Sequence, residues 1–273
     1  MAGADGRPGD RPILLAHATG FHGMVWQPLA SHLTGFHAVA PDLRGHGDST
    51  TPEGRGMDWN GFADDILAVV DAWGIDDLVA VGHSKGGAAL LLAEQRRPGT
   101  FAALWCYEPV VFPTGGAGGP MAVPSDTNNP LAEGALRRRH TFATRQAAYD
   151  NFAAKPPLSA LDPAALHAYV DHGFADQPDG TVTLKCRPET ESAVYRMGAA
   201  HDAFDHLAEV RCPVVVARGA ATGPGPSSFA QPLVDALPHG RLVTFDHLGH
   251  FGPLEQPAEV AAAILVDLAG LAS

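Results

Sequence analysis

Short apolar runs alternate with segments of helical periodicity over most of this chain. Six runs rich in Val, Leu and Ala predict strands at residues 13–18, 37–42, 78–84, 103–109, 213–219 and 241–247. They are almost continuously apolar, which is typical of strands buried on both faces of a sheet. The runs are interleaved with helical patterns at about 60–73, 85–97, 228–237 and 257–270. The alternation predicts an α/β fold, with a mostly parallel sheet of about six strands flanked by helices.

The segment 113–205 interrupts this alternation. It begins with PTGGAGGPMAVPSDTNNP, whose Gly, Pro and Asn content predicts a loop. Helical patterns follow at about 130–153 and 162–175, and PDGTVTLKC predicts a turn and a short strand. We interpret 113–205 as an inserted helical cap over the carboxyl edge of the sheet, where open α/β sheets bind ligands. The core then comprises residues 1–112 and 206–273.

The composition limits the kinds of molecule that this protein is expected to bind. The chain has 273 residues, a formal net charge of −12 and 45% apolar residues, so it can bury a sizeable core and is not expected to bind nucleic acid. No apolar run is long enough to predict a membrane span. The three cysteines, Cys106, Cys186 and Cys212, are scattered and predict no disulfide framework. With no signal-peptide pattern at the N-terminus, a cytoplasmic location is expected.

The segment VAVGHSKGG joins the strand predicted at 78–84 to the helix predicted at 85–97. It contains the pattern G-x-S-x-G, from Gly82 to Gly86, with Ser84 at its centre. A sharp strand-to-helix turn of this kind exposes a serine hydroxyl at the sheet edge, near the positive end of the helix. The pattern predicts a nucleophile at Ser84; the alternative is a glycine-rich turn with an incidental serine.

Together with this turn, several motifs along nearly the whole chain resemble those of the α/β-hydrolase superfamily. HATGFHGMVW (17–26) stands where the family carries its oxyanion loop, and DLRGHGDS (42–49) matches the loop after the next strand. LGHFGPLEQP (248–257) resembles the histidine loop that precedes the last helix. The order of the serine and histidine motifs is also that of the family.

The resemblance implies a role for each matching residue. Ser84 is the nucleophile, His250 is its general base, and the backbone N–H groups of Thr19 and Lys85 form the oxyanion hole. We expect the Lys85 side chain to reach solvent, with a contact to an acidic substrate group as the alternative. The resemblance implies no cofactor. With no HExxH pattern and no third ligand beside His247, we expect no metal.

The acid of the triad is missing from its usual place in the family. The loop ARGAATGPGPSS after the strand at 213–219 contains no Asp or Glu. We predict that Glu108, at the end of the strand at 103–109, takes this role; its alternative is a carboxylate that caps a neighbouring loop. Asp246 and Glu255 are nearer to His250 in sequence, but Asp246 ends a strand and Glu255 precedes a helix that it can cap.

Some α/β-hydrolases keep their acid at this strand end, among them haloalkane dehalogenases and zearalenone-type lactonases. The dehalogenases use an Asp nucleophile, which Ser84 argues against. The lactonases resemble this chain in a serine elbow, a Glu after the next strand and a G-A-A-T stretch in the loop that lacks the acid. Family members also begin with two antiparallel strands, which the short N-terminus here is expected to lack. The exposed edge is then left free or used for dimerisation, so we expect a monomer or a homodimer.

The resemblance implies a cofactor-free serine hydrolase that cleaves a carboxylic ester or lactone. Carbon–carbon bond hydrolysis, thioester hydrolysis or acyl transfer on the same triad remain alternatives, as does a non-catalytic ligand-binding protein on this scaffold. The expected partner is a small-molecule substrate, apolar and medium-sized. Aromatic residues at helical spacing are more often core residues than pocket residues. The candidates for contact with the substrate are Phe21, His22, Met121, Phe142, Tyr149, Phe152, Tyr195 and Phe251.

Overall fold

The computed structural model describes residues 2–3, 10–75, 77–113, 129–198, 200–220 and 225–271. The strands are β1 Ala2–Gly3, β2 Arg11–Ala16, β3 Phe36–Ala40, β4 Val79–His83, β5 Ala103–Tyr107, β6 Thr141–Phe142, β7 Phe174–Asp176, β8 Val182–Leu184, β9 Val214–Arg218 and β10 Gly240–Thr244. The main sheet has the order β1-β3-β2-β4-β5-β9-β10. All its neighbouring strands from β3 to β10 pair in parallel, which confirms the predicted α/β fold with six parallel strands.

Helices cover both faces of this sheet. The α-helices described are α1 Gln27–Ala30, α2 Trp59–Trp73, α3 Lys85–Arg96, α4 Pro130–Arg137, α5 Arg145–Ala153, α6 Pro163–Gly173, α7 Pro188–Met197, α8 Ala230–Ala236, α9 Gly252–Glu255 and α10 Pro257–Leu271. Short 3-10 helices cover Gly23–Trp26, Leu158–Ala160, Leu207–Glu209 and Pro226–Phe229. None of the helices in these ranges is long and apolar enough to cross a bilayer.

The continuously apolar strands fill two cores at once. In β2, Ile13 and Leu15 join the core on one face of the sheet, whereas Leu14 and Ala16 join the core on the other face. All four side chains are fully buried. Successive side chains of a strand point to opposite faces, so a strand covered on both sides requires apolar residues at every position.

The predicted helix boundaries have local causes. Helix α2 begins after Asp58, whose carboxylate accepts the N–H of Gly61 at 2.7 Å, and it ends at Gly74, which has a left-handed φ of 62°. An N-cap carboxylate and a terminal glycine are the usual helix start and stop signals. Helix α3 starts directly after Ser84, as the turn pattern predicts.

The segment 130–197 differs from its predicted elements in two places. The single helix predicted at 130–153 is two helices, α4 and α5, because Thr144 caps α5 by accepting the N–H of Ala147 at 3.1 Å. Between the two helices, β6 pairs with β8, and β8 pairs with β7. Helix α7 was not predicted, although Pro188 at its start and Glu189 and Glu191 in its first turn are helix-start signals.

One further strand lies at the edge of the main sheet. Ala2 pairs with Ala40 and Gly3 with Val39, antiparallel to β3. Two residues are too few to show a periodicity, so the sequence pattern does not predict this strand. It pairs part of the β3 edge, which the sequence analysis expects to be left free or used for dimerisation.

Candidate active site

Ser84 lies in the tight turn between β4 and α3. Its φ of 53° and ψ of −114° are unusual for a residue with a side chain. A Cβ at Gly82 would lie 2.6 Å from the backbone of Gly87, and one at Gly86 would lie 2.2 Å from the carbonyl oxygen of Ala16. Both contacts are far below van der Waals distance, so the turn requires glycine on either side of Ser84.

Glu108 follows β5, the strand beside β4, and both of its carboxylate oxygens have partners. Oε2 lies 2.6 Å from Nδ1 of His250, and Oε1 accepts the backbone N–H of Gly219 at 2.9 Å. The residue is buried and has a positive φ of 44°. Its own N–H donates to the carbonyl of Ala217 at 2.8 Å, so the strand end is also fixed. This carboxylate therefore holds the His250 ring in a single orientation.

The histidine loop is bound to three different strand ends. The carbonyls of residues 248–250 accept hydrogen bonds, in that order, from the Ala220 N–H at 2.9 Å, the Tyr107 hydroxyl at 2.8 Å and Nε2 of His83 at 2.7 Å. Burial and the neighbouring His250 hold the pKa of His83 well below its ordinary value, so its ring is neutral. His83 is also the residue before Ser84. The predicted base and the predicted nucleophile are thus tied to the same strand end.

The two other carboxylates near His250 in sequence have different surroundings. Glu255 accepts the N–H groups of Gly249 at 2.8 Å and Phe251 at 3.2 Å, which holds the backbone of the loop. Asp246 is exposed to solvent. Glu108 is therefore the carboxylate that contacts the histidine ring in this structure.

The described residues contain no group of three or more His, Cys, Asp or Glu side chains placed to hold a metal ion. His247, three residues before the predicted base, pairs with Glu259 at 3.0 Å.

The peptide between Ala18 and Thr19 is held by His17. The Leu43 N–H donates to Nε2 of His17 at 3.0 Å, so Nδ1 carries the ring proton and donates to the Ala18 carbonyl at 2.8 Å. The carbonyl and the N–H of a trans peptide point in opposite directions. The Thr19 N–H is therefore directed away from His17. The Lys85 N–H lies in the first turn of α3, where N–H groups have no partner within the helix.

The Lys85 side chain does not reach solvent, so that expectation was wrong. It is fully buried beneath the loop at 42–49 and helix α2, with Nζ 3.3 Å from Nε2 of His46 and 4.6 Å from the centre of the Phe62 ring. Nδ1 of His46 lies 2.9 Å from the Arg44 carbonyl and donates to it, which leaves Nε2 as the acceptor for Lys85. Burial lowers the pKa of Lys85 to about 7.

A cavity of about 520 Å³ borders the proposed oxyanion loop. Thr19, Phe21 and Phe251 line it from the core, and Tyr195 and Phe152 line it from the segment 130–197. These five residues are among those that the sequence analysis selected. Their side chains come from four separate parts of the chain, and the fold brings them to one opening beside the proposed oxyanion loop and the histidine loop.

Three other residues predicted to contact the substrate do not line this cavity. His22 is buried, with Nε2 3.2 Å from the carbonyl of Tyr169. Phe142 is buried in an aromatic cluster that includes Phe174, and Tyr149 stacks on His167 with ring centres 4.2 Å apart. Packing within the segment 130–197 thus explains these aromatic residues. Met121 lies outside the described residues.

The sequence analysis missed a polar group in the cavity wall. Nη1 of Arg138 lies 2.5 Å from Oε2 of Glu191, and Nη2 donates to the Tyr169 hydroxyl at 2.9 Å. These three residues also line the cavity. The run of three arginines at 137–139 was the signal that could have drawn attention to this wall.

Comparisons with known proteins agree with this architecture. The family model described as alpha/beta hydrolase family matches residues 13–263. Lipase LipV of Mycobacterium tuberculosis is 28% identical over 263 residues, which cover 95% of this chain and 94% of the lipase. The pimeloyl-[acyl-carrier protein] methyl ester esterase of Aromatoleum aromaticum is 29% identical over 93% of this chain and 97% of the esterase.

A solved structure gives the same result for the fold. The peroxisomal alpha-beta-hydrolase Lpx1 of Saccharomyces cerevisiae superimposes with a TM-score of 0.78 and 21% sequence identity, over 97% of this chain and 78% of the yeast chain. The parallel sheet, the serine turn and the family-model match over most of the sequence lead to one assignment. The chain belongs to the alpha/beta hydrolase family.

Proposed function

We propose that this protein is a cofactor-free serine hydrolase that cleaves a carboxylic ester or lactone through an acyl-enzyme on Ser84. The observation that carries the proposal is the 2.6 Å contact between Oε2 of Glu108 and Nδ1 of His250, at the sheet edge that also holds Ser84. A buried carboxylate on Nδ1 keeps the ring proton there, which leaves Nε2 able to accept a proton from a serine hydroxyl.

The reaction proceeds in two steps. Nε2 of His250 takes the Ser84 proton as the hydroxyl oxygen attacks the substrate carbonyl, and Glu108 stabilises the imidazolium that forms. The N–H groups of Thr19 and Lys85 bind the oxyanion, and each such donor contributes about 3 kcal/mol to transition-state stabilisation. His250 then protonates the leaving alcohol, and water activated by the same histidine releases the acid.

Two further observations support an ester or lactone as the substrate. The lipase and the methyl ester esterase that match nearly the whole chain carry names that describe ester cleavage. The cavity beside Thr19 is walled by residues of the segment 130–197, in keeping with our interpretation of 113–205 as a cap on a core of 1–112 and 206–273. A cap of this kind would exclude bulk water from the acyl-enzyme.

The experiment is turnover of a panel of p-nitrophenyl esters and lactones by wild type, Ser84→Ala and Ser31→Ala. Ser31 is an exposed serine whose hydroxyl bonds to the nearby Pro28 carbonyl, so it serves as the matched control. Turnover by wild type and by Ser31→Ala, with loss in Ser84→Ala, is the expected result. A fluorophosphonate probe should label Ser84 in the same proteins. A wild type that turns over no ester or lactone and takes no label would contradict the proposal and favour a binding function.

A further inference from the structure

Three cationic side chains line the cavity beside the oxyanion loop: Arg138, Arg139 and Lys155. Glu191 is the acid among the described residues that line it. The whole chain, in contrast, has 30 acidic and 18 basic residues. A local excess of positive charge in an acidic protein favours an anionic ligand at this position.

Arg138 is held in place without using all its donors. Glu191 and the Tyr169 hydroxyl engage one N–H group on each terminal nitrogen of its guanidinium. A guanidinium has five N–H donors, so three remain, and 20% of the side chain is exposed. Because Glu191 is already paired, its negative charge is compensated within the wall and does not cancel the other two cations.

Two of the three cations lie close to one pair of aromatic rings. Cζ of Arg139 is 4.3 Å from the centre of the Phe142 ring, and Cζ of Arg138 is 5.7 Å from the centre of the Phe152 ring. The two phenyl rings are 5.5 Å apart. Lys155 follows Phe152 by three residues, and its Nζ donates to Oδ1 of Asn151 at 2.9 Å. Two of the three cations thus pack on neighbouring rings, and all three are cavity-lining residues that the segment 130–197 contributes.

This wall adjoins the proposed oxyanion hole. A Cβ placed on Gly20 would lie 2.7 Å from Oε1 of Glu191 and 3.6 Å from Nη1 of Arg138. Gly20 directly follows Thr19, the proposed oxyanion donor. An anionic group bound by Arg138 would therefore lie near the carbonyl that Thr19 holds, as part of the same substrate molecule.

We infer that the substrate is an ester or lactone that carries a second, ionised group, a carboxylate or a phosphate, which the wall of Arg138, Arg139 and Lys155 binds. This inference rests on the proposed function and adds a charged group to the apolar, medium-sized substrate that the sequence analysis expects. Phe21, Phe152 and Phe251 supply the apolar contacts for the hydrocarbon part. Arginine suits this task because its planar donors bind carboxylate and phosphate groups in pairs.

The test compares esters that differ in one charge. For wild type, kcat/KM is measured on monomethyl glutarate against dimethyl glutarate, and on 1-acetylglycerol 3-phosphate against 1-acetylglycerol. The first pair reports on a carboxylate and the second on a phosphate. We expect the charged member of at least one pair to be preferred on the order of tenfold, which is the usual effect of one charge-assisted hydrogen bond.

Variants of the cationic side chains then show which of them cause the preference for the charged ester. Arg139→Gln and Lys155→Gln should each lower the preference for the charged ester, and the double variant should lower it further. Arg137→Gln is the matched control, since Arg137 is exposed, pairs with Glu133 and does not line the cavity. Arg138→Lys is preferred over Arg138→Gln because it keeps a cation beside Glu191.

The outcomes separate the two proposals. Hydrolysis of neutral esters with no preference for either charged ester, or a preference unchanged in the double variant, would overturn the inference and leave the serine hydrolase intact. If wild type cleaves no ester at all, the proposed function fails. In that case, calorimetric titration of Ser84→Ala with monomethyl glutarate and 1-acetylglycerol 3-phosphate still tests whether the cavity wall binds an anion. Absence of binding for both ligands would reject an anion-binding wall.

Discussion

Gly219 donates its backbone N–H to Oε1 of Glu108 over 2.9 Å. Gly219 belongs to the loop after β9, which has no acidic side chain between Ala217 and Ser228. The loop where the family usually places its acid here supplies instead a backbone donor to an acid on the neighbouring strand end. Fixing one carboxylate oxygen in this way directs the other at His250.

The first prediction concerns Glu108. Glu108→Gln should lower kcat on the order of 10⁴-fold with little change in stability, because an amide that faces Nδ1 favours the wrong histidine tautomer. Asp246→Asn makes the same chemical change at an exposed carboxylate near the same loop, and it should retain wild-type kcat. Steady-state kinetics on a p-nitrophenyl ester measure both. Near-normal kcat in Glu108→Gln would remove Glu108 from the triad.

The second prediction concerns the backbone at Gly219. A Cβ there would lie 2.4 Å from the carbonyl oxygen of Leu248 and 2.7 Å from that of Gly249. Gly219→Ala should therefore push the histidine loop away from Glu108 and reduce the free energy of unfolding by about 1–3 kcal/mol. Gly225→Ala, in the same loop but with open space around its Cβ, is the control. Equal kcat and equal urea midpoints for the two variants would show that the loop after β9 does not contact the histidine loop.

The third prediction follows from the buried Lys85. Its pKa of about 7 lies below its ordinary value of 10.5 because burial disfavours the charged amine, although Cys186, Asp65 and Asp42 oppose this shift. Between these two pH values the unfolded chain holds a proton that the folded chain lacks, so stability rises with pH, by up to about 1.4 kcal/mol per pH unit. This gain in stability is complete above pH 10.5, and it is lost as the pH falls to 7.

Lys85→Met lacks this titration, and its stability relative to wild type should be greatest at pH 7 and below. Urea unfolding at pH 6, 7, 8 and 9 gives the difference directly, and the advantage of Lys85→Met should shrink as the pH rises. Lys155→Met replaces an exposed lysine and should show no such trend. Parallel curves of stability against pH for wild type and Lys85→Met would mean that folding does not lower the pKa of Lys85.

The fourth prediction concerns the Tyr107 hydroxyl. Burial and the adjacent Glu108 raise the pKa of Tyr107, so the phenol remains a donor to the Gly249 carbonyl throughout the working pH range. Tyr107→Phe leaves that carbonyl unpaired and should reduce stability by about 1–3 kcal/mol and lower kcat several-fold. Tyr149→Phe, on a tyrosine that stacks on His167, is the control. An unchanged kcat in Tyr107→Phe would show that the loop is held without this bond.

Local patterns predicted most of the sheet and the serine turn. The six parallel strands follow from continuous apolar runs, and the turn at Ser84 follows from its glycines, because both depend on a few adjacent residues. The contact of Glu108 with His250 was predicted from the family resemblance together with the position of Glu108 at the end of β5, the strand beside β4. The catalytic roles of these residues remain predictions.

Contacts between distant segments could not be predicted in this way. The burial of Lys85 depends on a loop that begins more than 30 residues earlier and folds over helix α3. The pair of Arg138 and Glu191 joins residues 53 positions apart, across elements whose packing no single-sequence pattern encodes. The break between α4 and α5 was a local signal at Thr144 that a continuous helical pattern obscured.

The three hydrogen bonds to the carbonyls of residues 248–250 have a consequence for heat inactivation. Their donors come from the ends of β4, β5 and β9, in the middle of the parallel sheet. Loops held only by surface contacts open in sub-global events well before the rest of a protein. A loop tied to three central strands must break all three of these bonds to detach, so we expect its opening to be coupled to the melting of the sheet. Catalytic activity should consequently disappear together with the sheet rather than ahead of it.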